Sequence, residues 1–192
     1  QTKMSNTTLS QSNLFKPLQL NSNIKLNQRA IFGPVTRMRA NEDHSFNQDT
    51  SYTEAKEWKD YIADPNNKTG DKVRGLVEEY YHQRSQRPGT LVICEGTFPY
   101  AAAGGYGYVP GIYNDAQVES LKKVVNAVHA NGSYMFIQFW NLGRAADPEV
   151  LQKEGQKYVA PSVKYIEGGD MFDTKNKSHS SGNLLHALTL EE

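Results

Sequence analysis

Apolar residues fall along this chain in three patterns, and each predicts a different element. Leu18-Gln19-Leu20 and Ile24-Lys25-Leu26 alternate with period two on either side of Asn21-Ser22-Asn23, which is turn chemistry. That combination predicts a β-hairpin. Short apolar runs occur at Ala30-Ile31-Phe32, ahead of Gly33-Pro34, at Leu91-Val92-Ile93-Cys94, and at Tyr134–Trp140. The last two are rich in β-branched or aromatic residues and are expected to be strands buried on both faces, as in a parallel sheet. Helical spacing appears twice. Val73, Leu76, Val77, Tyr80 and Tyr81 make one stripe, and Val118, Leu121, Val125 and Val128 make another. Asn114 can cap the second helix, with Gln117 three residues on as in a capping box, and Asn131-Gly132 is a stop signal. After the hairpin the order is β-α-β-α-β, which implies an α/β fold with parallel strands and right-handed crossovers.

The remaining segments are polar. Gln1–Asn13 is almost without apolar residues and reads as a disordered tail, so the ordered part is expected over 14–192. Residues 41–72 form a polar insertion, with a short helix over 53–62, and are either an excursion over a site or a disordered insertion. From Asp147 to Gly182 no periodicity stands out. Thr189 and Glu192 have the spacing of a capping box, which announces a further helix. Three parallel strands with two helices leave open sheet edges. The expectation is therefore the N-terminal half of a (β/α)8 barrel, a fold of about 250 residues.

Composition narrows the function classes. The 192 residues carry 21 Lys plus Arg and 21 Asp plus Glu, a formal charge of zero. That balance argues against a nucleic-acid-binding protein and gives no attraction to an anionic membrane surface. No apolar run reaches the roughly 20 residues of a membrane helix. The single cysteine, Cys94, rules out a disulfide within the chain, which suits a reducing, cytoplasmic setting. Gly104-Gly105-Tyr106-Gly107 lacks the G-x-G-x-x-G spacing of a phosphate loop and reads as a glycine loop. The Asp43-His44 pair, alone in a polar loop, is expected to be solvated rather than to hold a metal.

The stretch Leu26–Ala40 (LNQRAIFGPVTRMRA) resembles the start of an Old Yellow Enzyme, a flavin-dependent ene-reductase. The similarity continues through Glu79–Ser85, Glu95-Gly96-Thr97, Gly104-Gly105-Tyr106, Pro110–Tyr113 and Gln138–Arg144. These segments are collinear, and their order and spacing are closest to the fungal branch. The resemblance implies a TIM barrel whose bottom is plugged by the N-terminal hairpin, here truncated before the fourth barrel strand. It also implies FMN as cofactor, NADPH as reductant and a small enone-type substrate. Thr36, Gly96 and Gln138 would lie at the C-terminal mouth of the barrel, where active sites of this fold are found. The family's flavin contacts map onto Thr36, Gln138, Gly96 and Pro34, and Trp140 would shape the substrate pocket above the flavin. A Gln amide offers one acceptor and two donors, which can match the alternating edge of a flavin pyrimidine.

The resemblance also implies residues that this sequence does not contain. The family activates its substrate with a His-x-x-Asn-x-Tyr pattern after the fourth strand. None of the five histidines, His44, His82, His129, His179 and His186, has that spacing. Two readings stay open. One is an FMN-dependent NADPH dehydrogenase or ene-reductase by descent. The other is an inactive half-barrel or pseudoenzyme that acts through binding or through self-association at exposed strand edges. On either reading the chain by itself is expected to lack ene-reductase turnover.

Overall fold

The computed structural model describes residues 12–51, 74–166 and 173–190. The expected helix over 53–62, Val73, the Thr189–Glu192 capping box as a pair and most of the N-terminal tail fall outside these residues. The chain divides into two compact units. One comprises residues 1–35, 47–94 and 120–137, and the other residues 36–46, 95–119 and 138–192.

In the first unit the hairpin forms as the alternation predicts. Strands β1 (Leu18–Gln19) and β2 (Lys25–Leu26) pair antiparallel, with Leu18 opposite Leu26. The turn is closed by Asn21, whose Oδ1 accepts from the backbone N–H of Asn23 and of Ile24, both at 2.9 Å. This is the Asx-turn chemistry for which Asn is favoured. The run Ala30–Phe32 contributes one bridging residue rather than a strand. Phe32 donates to Leu91 O at 2.9 Å and accepts from Ile93 N at 2.8 Å, in parallel sense. Gly33-Pro34 stops the ladder there, because Pro has no N–H to continue it.

Strand β3 (Leu91–Thr97) is buried at every position but Ile93, as its continuous apolar start predicts. Strand β4 (Tyr134–Phe139) pairs with it. Tyr134 N donates to Thr90 O at 2.9 Å and Trp140 N to Thr97 O at 3.0 Å, so the two strands run in the same direction. The expectation that β4 is buried on both faces fails: Phe136 is 44% and Phe139 61% exposed. Among the described residues β4 is the outer strand of this sheet, so its hydrophobic side chains lack the cover that a neighbour would give.

Helix α1 (Leu76–Arg84) starts at Gly75 as N-cap, and its first free N–H groups are taken by Asp49 O and Asn47 O at 2.9 and 3.2 Å. It buries Val77 and Tyr81 together with Glu78, Glu79 and His82. Arg74, itself buried, meets Glu79 at 3.2 Å. Helix α2 spans Asp115–Ala130, with the expected boundaries. Asn114 Oδ1 accepts from Gln117 N at 2.9 Å, which is half of the expected capping box. The other half is altered, since Gln117 Oε1 reaches past Asn114 to Tyr113 N at 2.9 Å. The buried face is Leu121, Val124, Ala127 and Val128, whereas Val118 is 40% exposed. Leu121 and Val128 of the expected stripe are buried, while Val124 and Ala127, with Gln117 and Ser120, take the inward positions in place of Val118 and Val125.

The second unit has its own core, built around Phe98, Val109, Leu142, Leu151, Tyr158 and Leu185. The segment without periodicity folds into α3 (Pro148–Lys153), β5 (Val159–Ala160), α4 (Thr174–Ser181) and β6 (His186–Ala187), with β5 and β6 parallel. These elements are too short to show a period. They are marked by their ends instead. Asp147 Oδ1 caps α3 through Glu149 N at 2.9 Å with Pro148 following, Asp173 caps α4, and Gly182 ends it at φ 78°. No helix among the described residues is long and apolar enough to cross a membrane.

His82 is 1% exposed, and its pKa is lowered from 6.5, chiefly by burial and secondarily by the Arg74 guanidinium. A histidine held neutral in the fold stabilises it fully above the unfolded pKa. That stability is lost as pH falls below about 6.5, because only the unfolded chain then takes up the proton. Thermal melts from pH 7.5 down to 5.5 should therefore show a declining Tm, and His82→Gln should flatten the decline.

Candidate active site

Four of the five residues singled out by the sequence lie in the second unit. Thr36 follows the Phe32 bridge on a stretch without helix or strand, and is exposed. Gly96 sits inside β3, which runs on to Thr97 rather than ending before the glycine. Gln138 is the penultimate residue of β4, with an exposed side chain, and Trp140 follows directly after that strand. Pro34 lies in the first unit and is half-buried.

Gly96 and Trp140 are brought into contact. A Cβ placed on Gly96 would lie 2.6 Å from Cε3 of the Trp140 indole, closer than any carbon contact tolerates. The glycine is therefore required by the tryptophan ring lying across the strand, an example of a strand glycine marking a close approach. The indole is flanked by Phe98, at 6.0 Å between ring centroids, and by Tyr106, at 5.9 Å and nearly edge-on. These separations are those of favourable aromatic pairs. Tyr106 has its phenol pKa raised, first by burial and then by the Asp147 carboxylate. Asp147 in turn holds Lys177 at 2.5 Å, and that hydrogen bond raises the lysine pKa.

Two interactions that organise this region were not read from the sequence. Arg37, next to Thr36, makes an ion pair with Glu95, next to Gly96, and the two side chains are only 13% and 2% exposed. The second is His44. The expectation that Asp43-His44 is solvated fails for the histidine, which is 4% exposed. Its Nδ1 lies 2.6 Å from Val109 O and its Nε2 3.1 Å from Glu154 Oε1, while its ring meets Phe98 edge-on at 5.8 Å. Its own carbonyl accepts from Gly111 N at 2.8 Å. His44 is thus a tie between the glycine loop and the end of α3. A φ of 62° at this position is the only local hint, and sequence alone does not display it. Among the described residues no group of three metal-ligating side chains occurs.

A cavity of about 630 Å³ opens elsewhere in the same unit, lined by Tyr100, Asn141, Gln156, Lys157, Val159 and Leu188 among others. Tyr100 Oη accepts from Asn141 Nδ2 at 2.6 Å on its wall.

Comparison with known proteins shows the family of the chain. A model of the family described as NADH:flavin oxidoreductase / NADH oxidase matches residues 63–192. The chain is 37% identical over 186 residues to a probable NADPH dehydrogenase of Candida albicans, covering 97% of this chain and 38% of that protein. It is 33% identical to enoate reductase 1 of Kluyveromyces lactis, covering 96% of this chain and 39% of the relative. Among solved structures, Old Yellow Enzyme from Pichia sp. AKU4542 superposes with a TM-score of 0.76 at 35% identity, over 96% of this chain and 39% of that one. The chain therefore spans under two-fifths of the length of these relatives. Its fold is the N-terminal part of their barrel, and no closed barrel forms among the described residues.

The His44 tie carries a stability consequence. Replacing it with Ala removes a buried ring and its polar contacts, and chemical denaturation should show a loss of about 2–4 kcal/mol. His44→Asn, which tolerates the left-handed backbone, should lose less.

Proposed function

Because the chain belongs to the NADH:flavin oxidoreductase / NADH oxidase family, we propose that it carries the flavin-facing N-terminal part of an FMN-dependent NADPH dehydrogenase acting on activated alkenes. The observation that supports this best is the close approach of the Trp140 indole to Gly96, with Thr36 and Gln138 of the same unit exposed.

The donor set fits a flavin. Gln138 presents two N–H donors and a carbonyl acceptor from the end of a fixed strand, the complement of the pyrimidine edge. Thr36 can donate its hydroxyl hydrogen to a flavin carbonyl, which favours the electron-rich reduced ring. Gly96, with no side chain of its own, leaves the backbone of the β3 end open. FMN, when bound, would supply hydride-transfer chemistry between NADPH and an activated alkene. Trp140, with Phe98 and Tyr106 against it, forms an aromatic wall that excludes water and orients a flat, apolar substrate. The group that polarises the substrate carbonyl and the proton donor are not among these residues. Turnover therefore requires residues that this sequence does not carry, and the 192-residue chain alone is inactive. The setting we propose is cytoplasmic, consistent with one buried cysteine.

A second reading has its own support. A relative from Epichloe festucae var. lolii, named a probable inactive reductase, is 35% identical over 162 residues. The exposed Phe136 and Phe139 on β4 give such a chain an edge through which to associate.

Titration of FMN against the chain by flavin fluorescence separates the readings. The catalytic-lineage reading predicts saturable binding, weakened about tenfold in Gln138→Ala, as expected for loss of one or two net hydrogen bonds. No binding by the parent chain, with a dimer or larger mass in light scattering, supports the second reading instead.

A further inference from the structure

We infer that the Arg37–Glu95 ion pair is a positioning device for the flavin edge, fixing Thr36 on its loop relative to Gly96 on its strand. This rests on the flavin reading for its purpose, though not for its geometry. Thr36 lies on a stretch without helix or strand, from Gly33 to Arg39. Such a segment does not hold a hydroxyl in one place by itself. Arg37 is the adjacent residue, and its guanidinium is drawn into the protein onto Glu95, whose carboxylate is 2% exposed. Arg37 is the half-buried residue between two exposed neighbours, Thr36 and Met38, so its ion pair is what anchors this part of the stretch to the protein.

The other end of the pair is equally constrained. Glu95 belongs to β3 and precedes Gly96, the residue closed over by the Trp140 indole. One ion pair thus ties the residue beside Thr36 to the residue beside Gly96. Its chemistry suits positioning better than stability. Burying two charges costs desolvation that their attraction only offsets when the geometry is good, and an apolar pair of equal volume is often as stable. The contact is made by one guanidinium nitrogen on one carboxylate oxygen, and the rigid planar guanidinium sets its direction in a way that a flexible lysine does not reproduce.

The test uses the full chain and three variants, Arg37→Lys, Glu95→Gln and the exchanged pair Arg37→Glu with Glu95→Arg. The readouts are 15N order parameters at Thr36, Arg37 and Met38, and the FMN Kd. In the parent chain the three order parameters should be near the rigid value of about 0.85, falling below about 0.6 in both single variants while α2 stays rigid. The FMN Kd should rise about tenfold or more in each single variant, and the exchanged pair should recover part of both effects. Order parameters that do not change in the single variants overturn the inference, as does loosening spread equally through α2, which would mark a general structural role. A parent chain that binds no FMN but loosens locally in the variants overturns the flavin reading and leaves the tether supported.

Discussion

The candidate site depends on one strand having partners along both edges. Leu91–Thr97 is paired with Phe32 on one side and with β4 on the other, and it is buried over nearly its whole length. Phe32 joins it through one bridge at Val92, and β4 continues beside it as far as the Trp140 N–H donated to Thr97 O. Glu95 is presented to Arg37, Gly96 lies under Trp140, and Thr97 accepts the Trp140 N–H. β4, the outer strand among the described residues, leaves Phe136 and Phe139 exposed. A sheet missing neighbours on that side fits a chain that spans 38% of its Candida albicans relative.

Aromatic packing extends the same order outward. Trp140 contacts Phe98, Phe98 contacts His44, and His44 holds Val109 O and Glu154. The glycine loop is therefore anchored from beneath by a buried histidine, and Tyr106 on that loop is returned to the indole. Each contact is modest, of the order of 0.5–1.5 kcal/mol for an aromatic pair. Together they give a glycine-rich loop a defined wall without a regular element inside it.

The sequence displayed the features set by local chemistry. The hairpin turn follows from Asn21, the boundaries of α2 from Asn114 and Asn131-Gly132, and β3 from its run of apolar residues. Features set by distant partners were not displayed. The Arg37–Glu95 pair joins residues 58 positions apart, and the His44–Glu154 contact joins residues 110 apart. Both look like ordinary polar residues in a loop until the fold closes. The exposure of β4 was hidden for the opposite reason, since its apolar pattern records a neighbour that the described residues do not supply. The short elements after Asp147 escaped because their evidence is capping rather than periodicity. Thr36, Gly96, Gln138 and Trp140 are candidates through resemblance, and their residue types alone do not separate them from turn and rim positions.

The central claim is that Thr36, Gly96 and Gln138 form one edge that receives a flavin, and a residue-resolved titration addresses it most directly. Two-dimensional NMR of the 15N-labelled chain with added FMN reports both binding and place. The account predicts saturable shifts centred on the amides of Thr36, Arg37, Gly96, Gln138 and the Trp140 indole, with the α2 amides unmoved. Absence of shifts, or shifts centred instead on the cavity beside Tyr100 and Asn141, would contradict it.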